Sequence, residues 1–224
     1  MRVKVLRQDS PKKEPYWETF EYDGPKEASV AAVLDYINYN DDIRNINGEK
    51  TGRIIWDCSC LQGICGACAM VINKKPALAC ETFLKDLKGE DLELRPLKKF
   101  PVIRDLSVDR SVIHETLTKT NLYIGKFEPS NNKGFDQQYL AAKCLKCGLC
   151  LEVCPNYTNG KNFYGALFAN DCYLVSSRNQ KKSKEIVGTY GEHFARGCSK
   201  AFSCMDVCPM NIPTIASIAK MAHV

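Results

Sequence analysis

The chain is poor in the features that mark secreted, membrane-spanning or nucleotide-binding proteins. No run of roughly 18 apolar residues lacks a charge, which excludes a spanning helix, and the opening MRVKVLRQDS has no signal-type apolar run. Neither a P-loop nor a Gly-rich dinucleotide fingerprint follows any strand-like stretch. Histidine is down to His114, His193 and His223, each isolated from carboxylates and serines in sequence and read as a surface or helix-packing residue. Both tryptophans, Trp17 and Trp56, lie in the first half. Charge of one sign is also scarce: residues 1–105 hold 17 Lys/Arg against 17 Asp/Glu, and residues 106–224 hold 14 against 9, giving the net +5. So mild a balance argues against nucleic acid as a partner. With 224 residues and 45% apolar content, the chain has the length and composition of two globular domains. Cysteine is the exception, at 13. An odd count with no export signal argues against a disulfide scaffold, and reduced thiols at this density point to metal.

The first third reads as strands around one helix. Val3 and Val5 alternate with charged neighbours, and Trp17–Tyr22 is rich in strand formers. Ser10–Pro15 is a turn, and Ala28–Asn40 carries Val30, Val33, Leu34 and Ile37 at helical spacing. Arg53–Trp56, Ala69–Ile72 and Leu92–Arg95 are further strand candidates. Pro96–Pro101 marks the boundary between domains 1–105 and 106–224. Beyond it, helices are expected over 111–118, 136–143, 164–177 and 213–222. Lys181, Lys182 and Lys184 read as a solvated face, with an acidic partner or lipid headgroups as the alternative.

Cys60, Cys65 and Cys68 with the later Cys80 follow C-x4-C-x2-C plus one, the plant-type [2Fe–2S] spacing. Two irons sharing two sulfides need two thiolates each; Gly63 and Gly66 leave room for backbone N–H groups to face the sulfurs. Zinc more often takes two separated C-x2-C pairs. Cys144, Cys147, Cys150 and Cys154-Pro155 form C-x2-C-x2-C-x3-C-P, the run whose fourth cysteine serves the other cluster where two are present. Cys198, Cys204 and Cys208-Pro209 repeat that register, with Ala201 where a cysteine should stand. Exchanging the fourth ligands assigns Cys144, Cys147, Cys150 and Cys208 to [4Fe–4S]. Cys154, Cys198 and Cys204 are left for a cube short of one ligand, which settles as [3Fe–4S]. Cys172 is either a replacement ligand there or an ordinary buried helix cysteine, and Cys58 is a spare.

A plant-type cluster region followed by a helical region with one truncated cube resembles the iron–sulfur subunits of succinate dehydrogenases and fumarate reductases. Gly63–Met70, Pro101–Leu106, and Cys208-Pro209 followed by Asn211-Ile212-Pro213 carry the resemblance over nearly the whole chain. It implies an α+β chain: an N-terminal plant-type ferredoxin (β-grasp) domain, then an all-α bacterial-ferredoxin-like domain. It also implies an FAD-containing flavoprotein partner that interconverts succinate and fumarate, and a membrane-anchor subunit with or without heme b. Single electrons would pass through the three clusters to or from a quinone on the cytoplasmic face of the membrane. Pro155, Ser199 and Lys200 fall at the quinone end. Asn156-Tyr157-Thr158-Asn159 carries no tryptophan, and Ser199 stands where ubiquinone-linked relatives have histidine, which is more similar to menaquinone-linked members. The alternatives are a thiol-linked fumarate reductase subunit, against which only 16 residues follow Cys208, and a free-standing multi-cluster ferredoxin.

Overall fold

A computed structural model describes residues 1–125 and 134–222, so His223 lies outside the described residues. It divides into two compact units, Met1–Asp109 and Arg110–Val224. No helix among the described residues is long and apolar enough to cross a membrane.

The first unit is built on a five-stranded mixed sheet in the order β2-β1-β5-β3-β4. Its strands are β1 (Arg2–Arg7), β2 (Tyr16–Glu21), β3 (Ala69–Ile72), β4 (Lys75–Leu78) and β5 (Asp91–Arg95). β1 pairs antiparallel with β2, Val3 opposite Phe20, and parallel with β5, Val3 opposite Leu92. The alternation of the sequence thus becomes an inward row of Val3, Val5, Leu92 and Leu94, all fully buried. Helix α1 (Val30–Asn38) buries Val30, Val33, Leu34 and Ile37 and starts at Ser29, whose hydroxyl accepts from Ala32 N at 3.2 Å. A second, two-stranded sheet joins β6 (Val102–Arg104) to β7 (Ser107–Val108).

One expected strand is absent. Arg53–Trp56 is not part of any ladder, because its backbone groups are satisfied elsewhere. Asn38 brackets Ile54, donating to its carbonyl and accepting from its N–H, both at 2.8 Å. The carboxylate of Asp105 accepts from Ile55 N at 2.9 Å, and Leu106 N donates to Ile55 O at 3.0 Å. Arg7, 1% exposed, ties the segment down: its guanidinium meets Glu18 at 2.6 Å, Asp105 at 3.0 Å and the Arg53 carbonyl at 3.0 Å. β4 is the reverse case, a strand the sequence does not advertise. Asn73 and Lys74 both take positive φ, 44° and 70°, and close a two-residue hairpin turn between β3 and β4. Pro76 is tolerated in β4 because that strand is an edge.

The second unit is helical. Its helices among the described residues are α2 (Ser111–Lys119), α3 (Phe135–Ala142), α4 (Leu149–Glu152), α5 (Gly165–Arg178), α6 (Ser183–Tyr190), α7 (Ser203–Asp206) and α8 (Thr214–Ala222). α5 is the axis, with Leu167, Phe168, Ala169 and Cys172 buried. A single π turn, Gly191–Ala195, continues α6, and His193 there stacks on Tyr164 with centroids 4.2 Å apart. Of the lysine patch, Lys181 and Lys184 are exposed, whereas Lys182 lies 3.5 Å from the Tyr123 ring centroid and donates to Asn121 O at 3.3 Å.

Gly165 opens α5 with φ +78°, and a Cβ there would lie 2.3 Å from Leu151 Cδ2. Gly165→Ala is therefore expected to destabilise the second unit by about 2 kcal/mol, through left-handed strain and overpacking together. Thermal unfolding of the anaerobic protein should show a lower midpoint with unchanged behaviour of the first unit.

Candidate metal centres

Residues 57–68 form an irregular loop that folds back on Cys80, which sits in the short 3-10 turn Ala79–Glu81 after β4. Leu61, Gly63 and Gly66 adopt φ of 53°, 71° and 77°. These left-handed bends turn amides inward: Gln62 N donates to Cys60 Sγ at 3.4 Å, Gly63 N to Cys80 Sγ at 3.3 Å and Ala67 N to Cys65 Sγ at 3.4 Å. The thiols fall into two pairs. Cys60 hydrogen-bonds Cys65, and Cys68 Sγ lies 3.4 Å from Cys80 Sγ. The Gln62 amide, with the Cys65 thiol, pulls the Cys60 pKa down to about 7. Burial, reinforced by Cys68, pushes Cys80 up to about 12. A donor set of two thiol pairs wrapped in N–H groups fits a two-iron cluster, whose thiolates need both cationic iron and hydrogen-bond donors. Cys58 is exposed rather than buried in the fold.

In the second unit, one cavity of about 450 Å³, its mouth included, is lined by Cys144, Cys147, Cys150 and Cys208, with Cys204 also on its wall. Positive φ at Lys146 (55°) and Gly148 (86°) lets the 144–150 segment curl around it. Arg110 Nη1 donates to Cys147 O at 3.2 Å, and Ile212 N to Cys208 Sγ at 3.5 Å. Burial raises the Cys147 pKa to about 11, and raises Cys144 and Cys150 as well. Binding metal here would therefore release protons that burial makes these thiols hold tightly.

A second cavity, about 370 Å³, is lined by Cys154, Cys198 and Cys204 together with Pro155, Ser199, Lys200 and Ala201. Ala201 presents only a methyl group to it. Cys172 lines neither cavity; it is fully buried on α5, where burial and the neighbouring Asp171 raise its pKa. Cys208 lines the first of these cavities and Cys154 the second, while Cys204 lines both. A four-thiol set fits a cube, and a three-thiol set fits a cube lacking one iron.

Residues 2–115 match the family described as 2Fe-2S iron-sulfur cluster binding domain, and residues 140–212 match the 4Fe-4S dicluster domain. The chain is 33% identical to the succinate dehydrogenase iron-sulfur subunit of Bacillus subtilis (strain 168), over 99% of this chain and 90% of the relative. It is 30% identical to the fumarate reductase iron-sulfur subunit of Haemophilus influenzae, over 97% and 90%. The chain belongs to the succinate dehydrogenase and fumarate reductase iron–sulfur subunit family. A chain of the Mycobacterium smegmatis Sdh1 complex in the apo form shares the fold, with a TM-score of 0.77 at 23% identity over 99% of this chain and 95% of that one.

In this iron–sulfur subunit several residues that sequence spacing does not reveal support the thiols. Asn156 donates through Nδ2 to Gly197 O, and Ser203 Oγ donates to Val153 O at 3.4 Å. Together they tie the segment bearing Cys154 to the one bearing Cys198 and Cys204. Gly197 must be glycine here, since a Cβ would lie 2.5 Å from Phe163 Cδ2. Ser107 Oγ donates to Asp57 at 2.8 Å and steadies the approach to the first loop. Phe202, 45% exposed with φ 58°, stands on the rim of the second cavity. Each of these depends on a partner far along the chain or on a backbone angle, so no local pattern marks it.

Replacing Cys65 with alanine removes one member of a thiol pair and the acceptor of the Ala67 amide. The expected outcome is loss of about two irons per chain and of the visible absorption of the first centre. The two centres of the second unit should be retained, as iron assay and EPR of the reduced variant can check.

Proposed function

We propose that this chain is the electron-transferring subunit of a succinate:quinone or quinol:fumarate oxidoreductase. In this reading its first domain, residues 1–105, binds [2Fe–2S] through Cys60, Cys65, Cys68 and Cys80. Its second domain, residues 106–224, binds [4Fe–4S] through Cys144, Cys147, Cys150 and Cys208, and [3Fe–4S] through Cys154, Cys198 and Cys204. Bound clusters supply one-electron carriers between an FAD-containing flavoprotein subunit and a quinone at a membrane-anchor subunit. The protein's part is to hold thiolates, aim amides at them and keep water from them. No dicarboxylate site is assigned to this chain.

The observation that carries the reading is a cavity lined by Cys144, Cys147, Cys150 and Cys208 next to a second lined by Cys154, Cys198 and Cys204, with Cys204 on the wall of both and Ala201 at the register position of the missing donor. Pro155, Ser199 and Lys200 on the second cavity are the quinone-proximal residues in this reading, and Phe202 beside them adds an apolar surface. Ser199 in place of histidine, and the absence of tryptophan after Pro155, favour menaquinone. Attachment is to the cytoplasmic membrane face through the anchor subunit.

The test is iron content with EPR on the anaerobically purified complex, oxidised and then reduced stepwise. About nine irons per chain, with a three-iron signal that vanishes early in the reduction, is the expected result. About ten irons and no such signal would overturn the cluster assignment and bring a non-quinone acceptor forward.

A further inference from the structure

The loop that carries Cys144 and Cys147 is held by an ion pair of unusual placement. Lys146 lies between those cysteines in the left-handed region, φ 55°, so its side chain leaves the loop toward α5. There its Nζ donates to both carboxylate oxygens of Asp171. The Asp171 side chain is 8% exposed and that of Lys146 26%. Lys146 adjoins Cys147 and Asp171 adjoins Asn170, and Cys147 and Asn170 line the same cavity as Cys144. The other charged or titratable groups near the pair are Arg110, at the Cys147 carbonyl, and His114, close enough to act electrostatically on Asp171.

A buried carboxylate beside a metal centre that is itself anionic costs free energy unless a cation compensates it. Reduction of a cluster adds one negative charge, so a nearby cation favours the reduced form and a nearby anion opposes it. The low dielectric of the interior strengthens both effects. We propose that Lys146 and Asp171 are a positioning and charge-balancing pair that sets the reduction potential of the centre held by Cys144, Cys147, Cys150 and Cys208. The inference rests on the cluster reading given above. Neither residue is a ligand: Lys146 acts through the loop it anchors and through its charge, and Asp171 acts by neutralising that charge.

An electrostatic role gives the two single variants opposite signs. Asp171→Asn keeps the shape and a hydrogen-bond acceptor but leaves Lys146 unneutralised, so the potential rises. Lys146→Gln leaves Asp171 uncompensated, so the potential falls. Lys146→Gln combined with Asp171→Asn returns toward the starting value. A purely mechanical clamp would move both single variants the same way, because each loosens the same contact.

The experiment is a redox titration followed by EPR on the purified holo complex carrying each variant. The expected shift is about tenfold in the ratio of reduced to oxidised centre at the wild-type midpoint, upward for Asp171→Asn and downward for Lys146→Gln. For one electron that equals about 59 mV. If Lys146→Gln does not retain its iron, Lys146→Arg replaces it: an unchanged midpoint there beside a raised one in Asp171→Asn supports the inference. Shifts of the same sign, or none, with the four-iron signal intact overturn it. Absence of any four-iron signal in the wild-type complex overturns the cluster reading instead, and this inference falls with it.

Discussion

Ala201→Cys should gain iron. The second cavity has three thiols on its wall and a methyl group at the register position where the first run has Cys147. A thiol there would complete the C-x2-C-x2-C spacing that Cys198 and Cys204 frame, and Cys154 already supplies the crossing ligand in the proposed assignment. Iron content is expected to rise from about nine to about ten per chain. The EPR signal of the oxidised three-iron form should disappear, and a second reduced cube should appear at lower potential. Ala201→Ser is the control, because a hydroxyl of similar size is a poor iron ligand and should leave the three-iron signal in place. Unchanged iron and potential in Ala201→Cys would mean that another group already fills the fourth position.

Arg7→Ala is expected to be the most damaging single change in the first unit. It would strip a guanidinium that is 1% exposed and leave Glu18 and Asp105 facing each other's vacated partner, with both carboxylates nearly buried. Removing one partner of such a network typically costs about 3–5 kcal/mol, because the charges left behind remain desolvated. The loss would not stay local. Arg7 also holds the carbonyls of Gly52 and Arg53, the segment that leads into Cys58 and Cys60. Anaerobic thermal unfolding should show a large fall in the midpoint of the first unit, accompanied by reduced occupancy of its cluster. Arg7→Lys keeps the charge but not the fork of donors, and should fall between the two. An Arg7→Ala protein with wild-type stability would show that water or another cation takes the vacated position.

The cysteine motifs were readable because cluster ligands are local in sequence: a spacing of two or four residues is itself the geometry of a loop around iron. The proposed exchange of Cys154 and Cys208 comes from the recurrence of one register in the sequence. The helices at 111, 135, 165 and 214 were readable from periodicity, each within a residue or so of its expected start. Arg53–Trp56 misled because its β-branched residues promise a ladder, while its actual partners are the side chains of Asn38, Asp105 and Arg7. β4 was hidden by Lys75-Pro76, which reads as a turn until the hairpin places it on an edge. α6 and the π turn after it were hidden by Gly188 and Gly191, which weaken any helical pattern. The pair Lys146–Asp171, separated by 25 positions, has no sequence signature at all.

The crossing of Cys154 and Cys208 between the cavities has a topological consequence. In the proposed assignment each centre knots residues 144–154 to residues 198–208, so two metal rivets close the same large loop, which contains all of α5 and α6. A crosslink over a loop of about fifty residues removes several kcal/mol of chain entropy from the unfolded ensemble. A second rivet over the same loop adds much less, because the ends are already together. The first centre to be filled would therefore organise the chain for the other, and release of either would leave the second unit still threaded. Iron insertion would be sequential, with the more fully ligated cavity as its natural starting point.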